Sequence, residues 1–93
     1  GGQAVIHALR VSNEEMKLHD VIVFLFEGND KFVGRIDAET AQLKVGYWDI
    51  RDAWISTPNR TAHHVDRHEL PSDLTLTKIQ KEKLIIYISK KLN

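Results

Sequence analysis

The hydrophobic pattern opens with strict alternation. Val5, His7, Leu9 and Val11 fall on one face and Ala4, Ile6, Ala8 and Arg10 on the other, the period of two that predicts a strand. Ser12-Asn13-Glu14-Glu15 then carries a helix-start signature, with Ser12 as N-cap and Glu15 reaching back, and predicts a short helical turn over 13–18. Asp20 to Glu27, DVIVFLFE, is apolar on both faces and predicts a central strand covered on both sides. Gly28-Asn29-Asp30 tolerates positive φ and predicts a hairpin into 31–36, with Gly34 marking a bulge or bend.

Further on the pattern is less regular. Asp37 to Thr40 reads as a second turn before Leu43, Val45 and Tyr47 alternate with polar neighbours. A short helix over 38–44 competes with that reading, but a helix so short is marginal without strong burial. Ile50 to Ile55 predicts another strand or a bent continuation, with Ile50, Asp52 and Trp54 on one side. Thr57 to Pro71 holds both prolines and little apolar material, so it is expected to be a long connection. Thr77-Lys78-Ile79-Gln80 forms a capping box that predicts a helix running to about Leu92. Leu84, Ile85, Ile88 and Leu92 make its broad apolar face, while Ile79 and Ile86 fall elsewhere, so a second face is expected to meet another subunit. The competing reading makes LIIYI an edge strand.

Together these elements predict an α+β fold: a small antiparallel sheet of four or five strands, curled toward a barrel, packed by one long C-terminal helix. FLFEGNDKFVGRIDAETAQLKV resembles in outline a hairpin pair of SH3-like or Sm-like barrels, which implies the same curled sheet. A chain of 93 residues fits one domain with one core over 1–93, and Gly1-Gly2 reads as a cloning scar or an upstream cut.

Composition narrows the chemistry. Hydrophobic residues at 42% and charged residues at 28% suit a folded soluble domain rather than a disordered one. With no cysteine, disulfides and thiolate chemistry are excluded. The longest apolar run, Val21 to Phe26, is far below the roughly 20 residues of a membrane-spanning helix. No targeting segment is evident, so a cytoplasmic location is the default expectation. Asn59-Arg60-Thr61 fits the glycosylation pattern, a match expected by chance. Net charge is zero, yet residues 13–42 carry seven acids against three bases, and residues 72–93 carry five lysines against two acids. This polarity allows association between copies and does not favour nucleic acid.

Two clusters are candidates for chemistry. HHVDRHE, residues 63–69, offers His63, His64, Asp66 and His68 as metal ligands or His64 and His68 as general acid and base, with Arg60 or Arg67 to steady a charged transition state. The spacing is not that of a zincin motif, and a solvated loop is the reading expected over either. Tyr47, Trp48, Arg51 and Trp54 concentrate residue types that complete cores or anchor interfaces. The function expected is a non-enzymatic protein-interaction or self-associating module, a homo-oligomer such as a dimer, without cofactor or membrane. Its interface candidates are Tyr47, Trp48, Arg51, Trp54, Ile79 and Ile86. The competing expectations are a small hydrolase or nuclease using the histidine segment, and a single-stranded nucleic-acid binder on the sheet.

Overall fold

The computed structural model describes residues 2–12, 16–28, 30–72 and 85–86. Within them the chain is all-β. Five long strands, β1 (Gly2–Ser12), β2 (Lys17–Glu27), β3 (Lys31–Lys44), β4 (Tyr47–Thr57) and β5 (Arg60–Pro71), follow one another as an antiparallel meander. A two-residue strand, β6 (Ile85–Ile86), pairs with Ile6 and His7 of β1, so the sheet order is β5-β4-β3-β2-β1-β6.

This overturns the expected α+β class. No helix occurs among the described residues, and at 85–86, inside the span expected to be helical, the backbone is a strand. Consecutive β-branched isoleucines lose side-chain freedom in a helix and suit a pleated edge, which is the competing preference that prevails there. The rest of that span, Ile79 included, lies outside the described residues, as do positions 13–15 of the expected helical turn, whose remaining residues are not helical: Met16 is in a turn and Lys17 and Leu18 open β2. Asp37 to Thr40 is not a turn. It lies inside the fourteen-residue β3, and the reversal comes instead at Val45-Gly46, where Gly46 has φ +90°. Thr57 to Pro71 is not a loop either: after a turn at Pro58-Asn59 it forms β5. The hairpin after Gly28 is as expected, and register shifts beside Gly34, where Leu25 faces Gly34 but Phe26 faces Phe32. A Cβ on Gly34 would come within 3.2 Å of the Ser56 carbonyl oxygen, a close approach that a larger residue would keep only if the β4 backbone shifted by a few tenths of an ångström.

One face of the sheet carries the core, so β2, expected to be covered on both sides, is fully buried on one face only, with Ile22, Phe24 and Phe26 half-buried on the other. Ile6, Leu18, Val21, Val23, Ile36, Trp48 and Ile50 are essentially fully buried, and all five long strands contribute to one cluster. The alternation feeding that face changes phase once in every strand. In β1 the core takes even positions up to Ala8 and then Val11. In β2 it takes Leu18, preceded by Met16 in the turn before the strand, then Val21 and Val23. In β3 Ile36 and Ala38 give way to Ala41 and Leu43, in β4 Trp48 and Ile50 to Ala53, and in β5 Val65 to Leu70.

The five phase changes lie on one line across the sheet. Ladder pairing is interrupted between Ala8 and Arg10, His19 and Val21, Ala38 and Thr40, Arg51 and Ala53, and Val65 and Arg67, while register is the same on either side. Each strand therefore carries one additional residue at the same level: Leu9, Asp20, Glu39, Asp52 and Asp66. We refer to this line as the crease. Its backbone signature is a left-handed conformation at alternate strands, with φ +54° at Asp20 and +51° at Asp52. Aspartate tolerates that region better than most residues, whereas a β-branched side chain does not.

Asp20→Val should therefore lower stability by about 1–2 kcal/mol. Asp20→Gly should stay within about 0.5 kcal/mol of the parent, because relief of strain offsets added unfolded-chain entropy. Glu39→Val, on the same line but without positive φ, should also shift stability by no more than about 0.5 kcal/mol, read by urea denaturation.

Candidate functional site

The crease opens a groove of about 920 Å³ on the face opposite the core. Its floor is Ala8, Val21 and Ala38, and its walls include His7, Leu9, Ile22, Trp54 and His64. Leu9 is 67% exposed and Trp54 53%. Trp54 and His64 are directly opposed on β4 and β5, with ring centroids 5.3 Å apart in an edge-to-face contact.

The carboxylates of the crease border this groove. Asp20, Glu39 and Asp52 line it, and Asp66 adjoins Asp52. Neighbouring strands lie about 4.8 Å apart, so acids at one level on adjacent strands repel. Among the described residues Asp20 has only the exposed Arg10 at 3.9 Å, and Asp66 has His64, Nδ1 to Oδ1 3.8 Å. Among the described residues no Lys or Arg lies within salt-bridge distance of Glu39 or Asp52. Asp37, which also lines the groove, is held by Arg35 through two bonds of 2.8 Å.

A second polar cluster sits on the same face beyond the crease. The buried Asp49 carboxylate accepts from Arg51 Nε at 3.0 Å and Nη2 at 3.1 Å, and from Arg67 Nε at 3.2 Å. The Arg51 hydrogen bonds are the main reason the Asp49 carboxyl titrates below its ordinary range; burial opposes them, and the charges of Arg51 and Arg67 assist. Arg67 also pairs with Glu69, whose hydrogen bond holds the guanidinium charged. This cluster ties β4 to β5 through Nε and Nη2 of both arginines, a cross-strand brace whose role is structural.

The histidine segment is divided by the phase change. His64 faces the groove, whereas His68 stands opposite the fully buried Ile50 on the core face, where burial pushes its pKa down. His63 is opposite Ile55, on the side that carries Val65. The four residues of the sequence-level cluster therefore do not surround one point: only His64 and Asp66 meet, and the acid–base pair of His64 with His68 is not assembled. Their third companion comes from β4. Ligand atoms of Asp52, His64 and Asp66 all lie within 4.8 Å of one another. Simple alternation puts Asp52 on one side with Ile50 and Trp54. The available signal was Arg51-Asp52, two polar residues in succession where alternation calls for one.

The aromatic segment divides in the same way. Trp48 is fully buried in the core, its Nε1 without an acceptor among the described residues, while Trp54 faces the groove and Tyr47 is half-buried. Ile86 contributes backbone pairing to β1. No helix among the described residues is long and apolar enough to cross a membrane. Comparison with protein-family models, with curated proteins and with solved structures finds no match.

Two groups set an acid response. Burial lowers the pKa of His68 in the fold, so protonating it costs stability as pH falls through about 6.5 and lower. The depressed Asp49 carboxyl adds stability that is present above about pH 4 and is lost as pH falls through its folded value. His68→Gln should flatten the first limb of a stability–pH curve and Asp49→Asn the second. Asp49→Ala should cost about 1.5–3 kcal/mol at pH 7, read by thermal or urea unfolding.

Proposed function

We propose that this chain is a non-enzymatic strand-pairing interaction module whose β5 edge accepts an extended segment of another protein chain. The observation that carries this reading is the twelve-residue β5, which pairs only with β4 among the described residues and leaves its outer row of main-chain groups open. Such an edge is a template for strand addition, in which main-chain hydrogen bonds supply affinity and alternate side chains supply selectivity. The opposite edge is partly used, because β6 pairs with β1. Arg60, Asp66, Arg67 and Glu69 interrupt β5 with charge, and Pro71 ends it, features that discourage indiscriminate pairing.

The occupant best matched to that charge pattern is β5 of a second copy. Antiparallel pairing about a twofold axis between Asp66 and Arg67 sets Asp66 against the other copy's Arg67 and His64 against its Glu69. It also sets Val65 against His68 and His63 against Leu70. The phase change in β5 puts the first two pairs on the outer face and the last two on the core face, so opposed residues share a face and the two creases align. Neutral net charge permits such self-association.

Sedimentation velocity from micromolar to millimolar chain should show a monomer–dimer equilibrium, and hydrogen exchange should slow at β5 as the dimer forms. Adjacent amides point to opposite sides of a strand. Of His64→Pro and Val65→Pro, the one that removes an outward N–H should keep the monomer fold and abolish dimerisation. A monomer at every concentration, or a dimer whose β5 exchange is unchanged, would overturn pairing through this edge.

A further inference from the structure

We propose that Asp52, His64 and Asp66 form a binding site for a divalent transition ion of the zinc class, set into the outer face where β4 and β5 cross the crease. The site uses the outer-face side chains of His64 and Asp66, which the proposed dimer sets against Glu69 and Arg67 of the second copy, so it belongs to the monomer and does not rest on that reading. An imidazole with two carboxylates is a donor set that zinc accepts, commonly with water completing a tetrahedron. Mixed nitrogen and oxygen donors favour such ions over magnesium, which prefers oxygen ligands and near-ideal octahedral geometry.

The geometry requires little movement. A triangle of donors with edges of at most 4.8 Å has its centre about 2.8 Å from each corner, so each donor must close by roughly 0.7 Å to reach zinc bond lengths of about 2.0–2.2 Å. All three residues are exposed, so rotation of a side chain can supply that shift and an ion can enter from solvent. The imidazole is already oriented: its edge-to-face contact with Trp54 holds the ring, and its Nδ1 lies 3.8 Å from Asp66 Oδ1.

A separate electrostatic observation points to a cation. Asp52 lies at the crease level between Glu39 of β3 and Asp66 of β5, like charges on both neighbouring strands. No Lys or Arg among the described residues lies within salt-bridge distance of Asp52 or Glu39, although Asp37 and Asp49 nearby each have an arginine. A bound dication would convert this repulsion into attraction, with Glu39 as an additional charge beside the ligands.

The test is calorimetric titration of the untagged chain at micromolar concentration with Zn²⁺, and separately with Mg²⁺, alongside thermal unfolding and histidine NMR. One equivalent of Zn²⁺ should bind, raise the midpoint of unfolding and shift the His64 ring resonances, leaving those of His63 and His68 in place; Mg²⁺ should do none of these. His64→Gln and Asp52→Asn, both surface changes checked for fold by circular dichroism, should each weaken Zn²⁺ binding by about tenfold or more. His63→Gln should leave it unchanged. Absence of stoichiometric Zn²⁺ binding, equal affinity in the parent and His64→Gln, or loss of binding in His63→Gln would overturn the assignment.

Discussion

Every strand of the meander carries one more residue at the crease than simple alternation allows, and the rest of the structure depends on those five insertions matching. A strand shifts its whole apolar set to the other face when one residue is added. Here the addition is made at Leu9, Asp20, Glu39, Asp52 and Asp66 together, so register survives and both halves of the sheet keep their apolar side chains on the core face. An insertion in a single strand would turn half of that strand inside out. The left-handed backbones at Asp20 and Asp52 are the local form this takes.

The same constraint produces the polar geography of the molecule. At the crease two successive side chains of each strand face away from the core, and polar residues are the ones that tolerate this. The result is a line of four acids across β2 to β5, bordering an apolar groove with an exposed tryptophan. On one side of the line Arg35 neutralises Asp37; on the other Arg51 and Arg67 neutralise Asp49. The carboxylates flanking the line thus have arginine partners, whereas Glu39 and Asp52 on it have no Lys or Arg within salt-bridge distance among the described residues.

Several elements were legible because their signals are local. Alternation in residues 4–8, the apolar run of β2 and the turn chemistry at Gly28 each reflect a neighbour-to-neighbour rule, and Gly34 marked a real irregularity of the sheet. Other segments misled for one reason. Asp37 to Thr40 resembles a turn because β3 changes phase there, and Ile50 does not share a face with Trp54 because β4 changes phase between them. β5 gave almost no apolar signal, since an edge strand buries few side chains, here chiefly Leu70 with Val65 partly covered. In Ile85–Ile86 strand pairing with β1 prevailed over a helical capping signal eight residues earlier.

By itself the sequence determined a small cysteine-free domain with an antiparallel sheet, because composition and short-range periodicity are properties of the chain alone. It also determined which residue types were present for chemistry. Only the tertiary structure decided that His64 and His68 face opposite sides, that Asp52 joins His64 and Asp66, and that Trp48 is core while Trp54 is surface. The physical reason is that these outcomes turn on where five strands place their additional residue relative to one another. That is a matter of long-range register, and no window along one strand contains it.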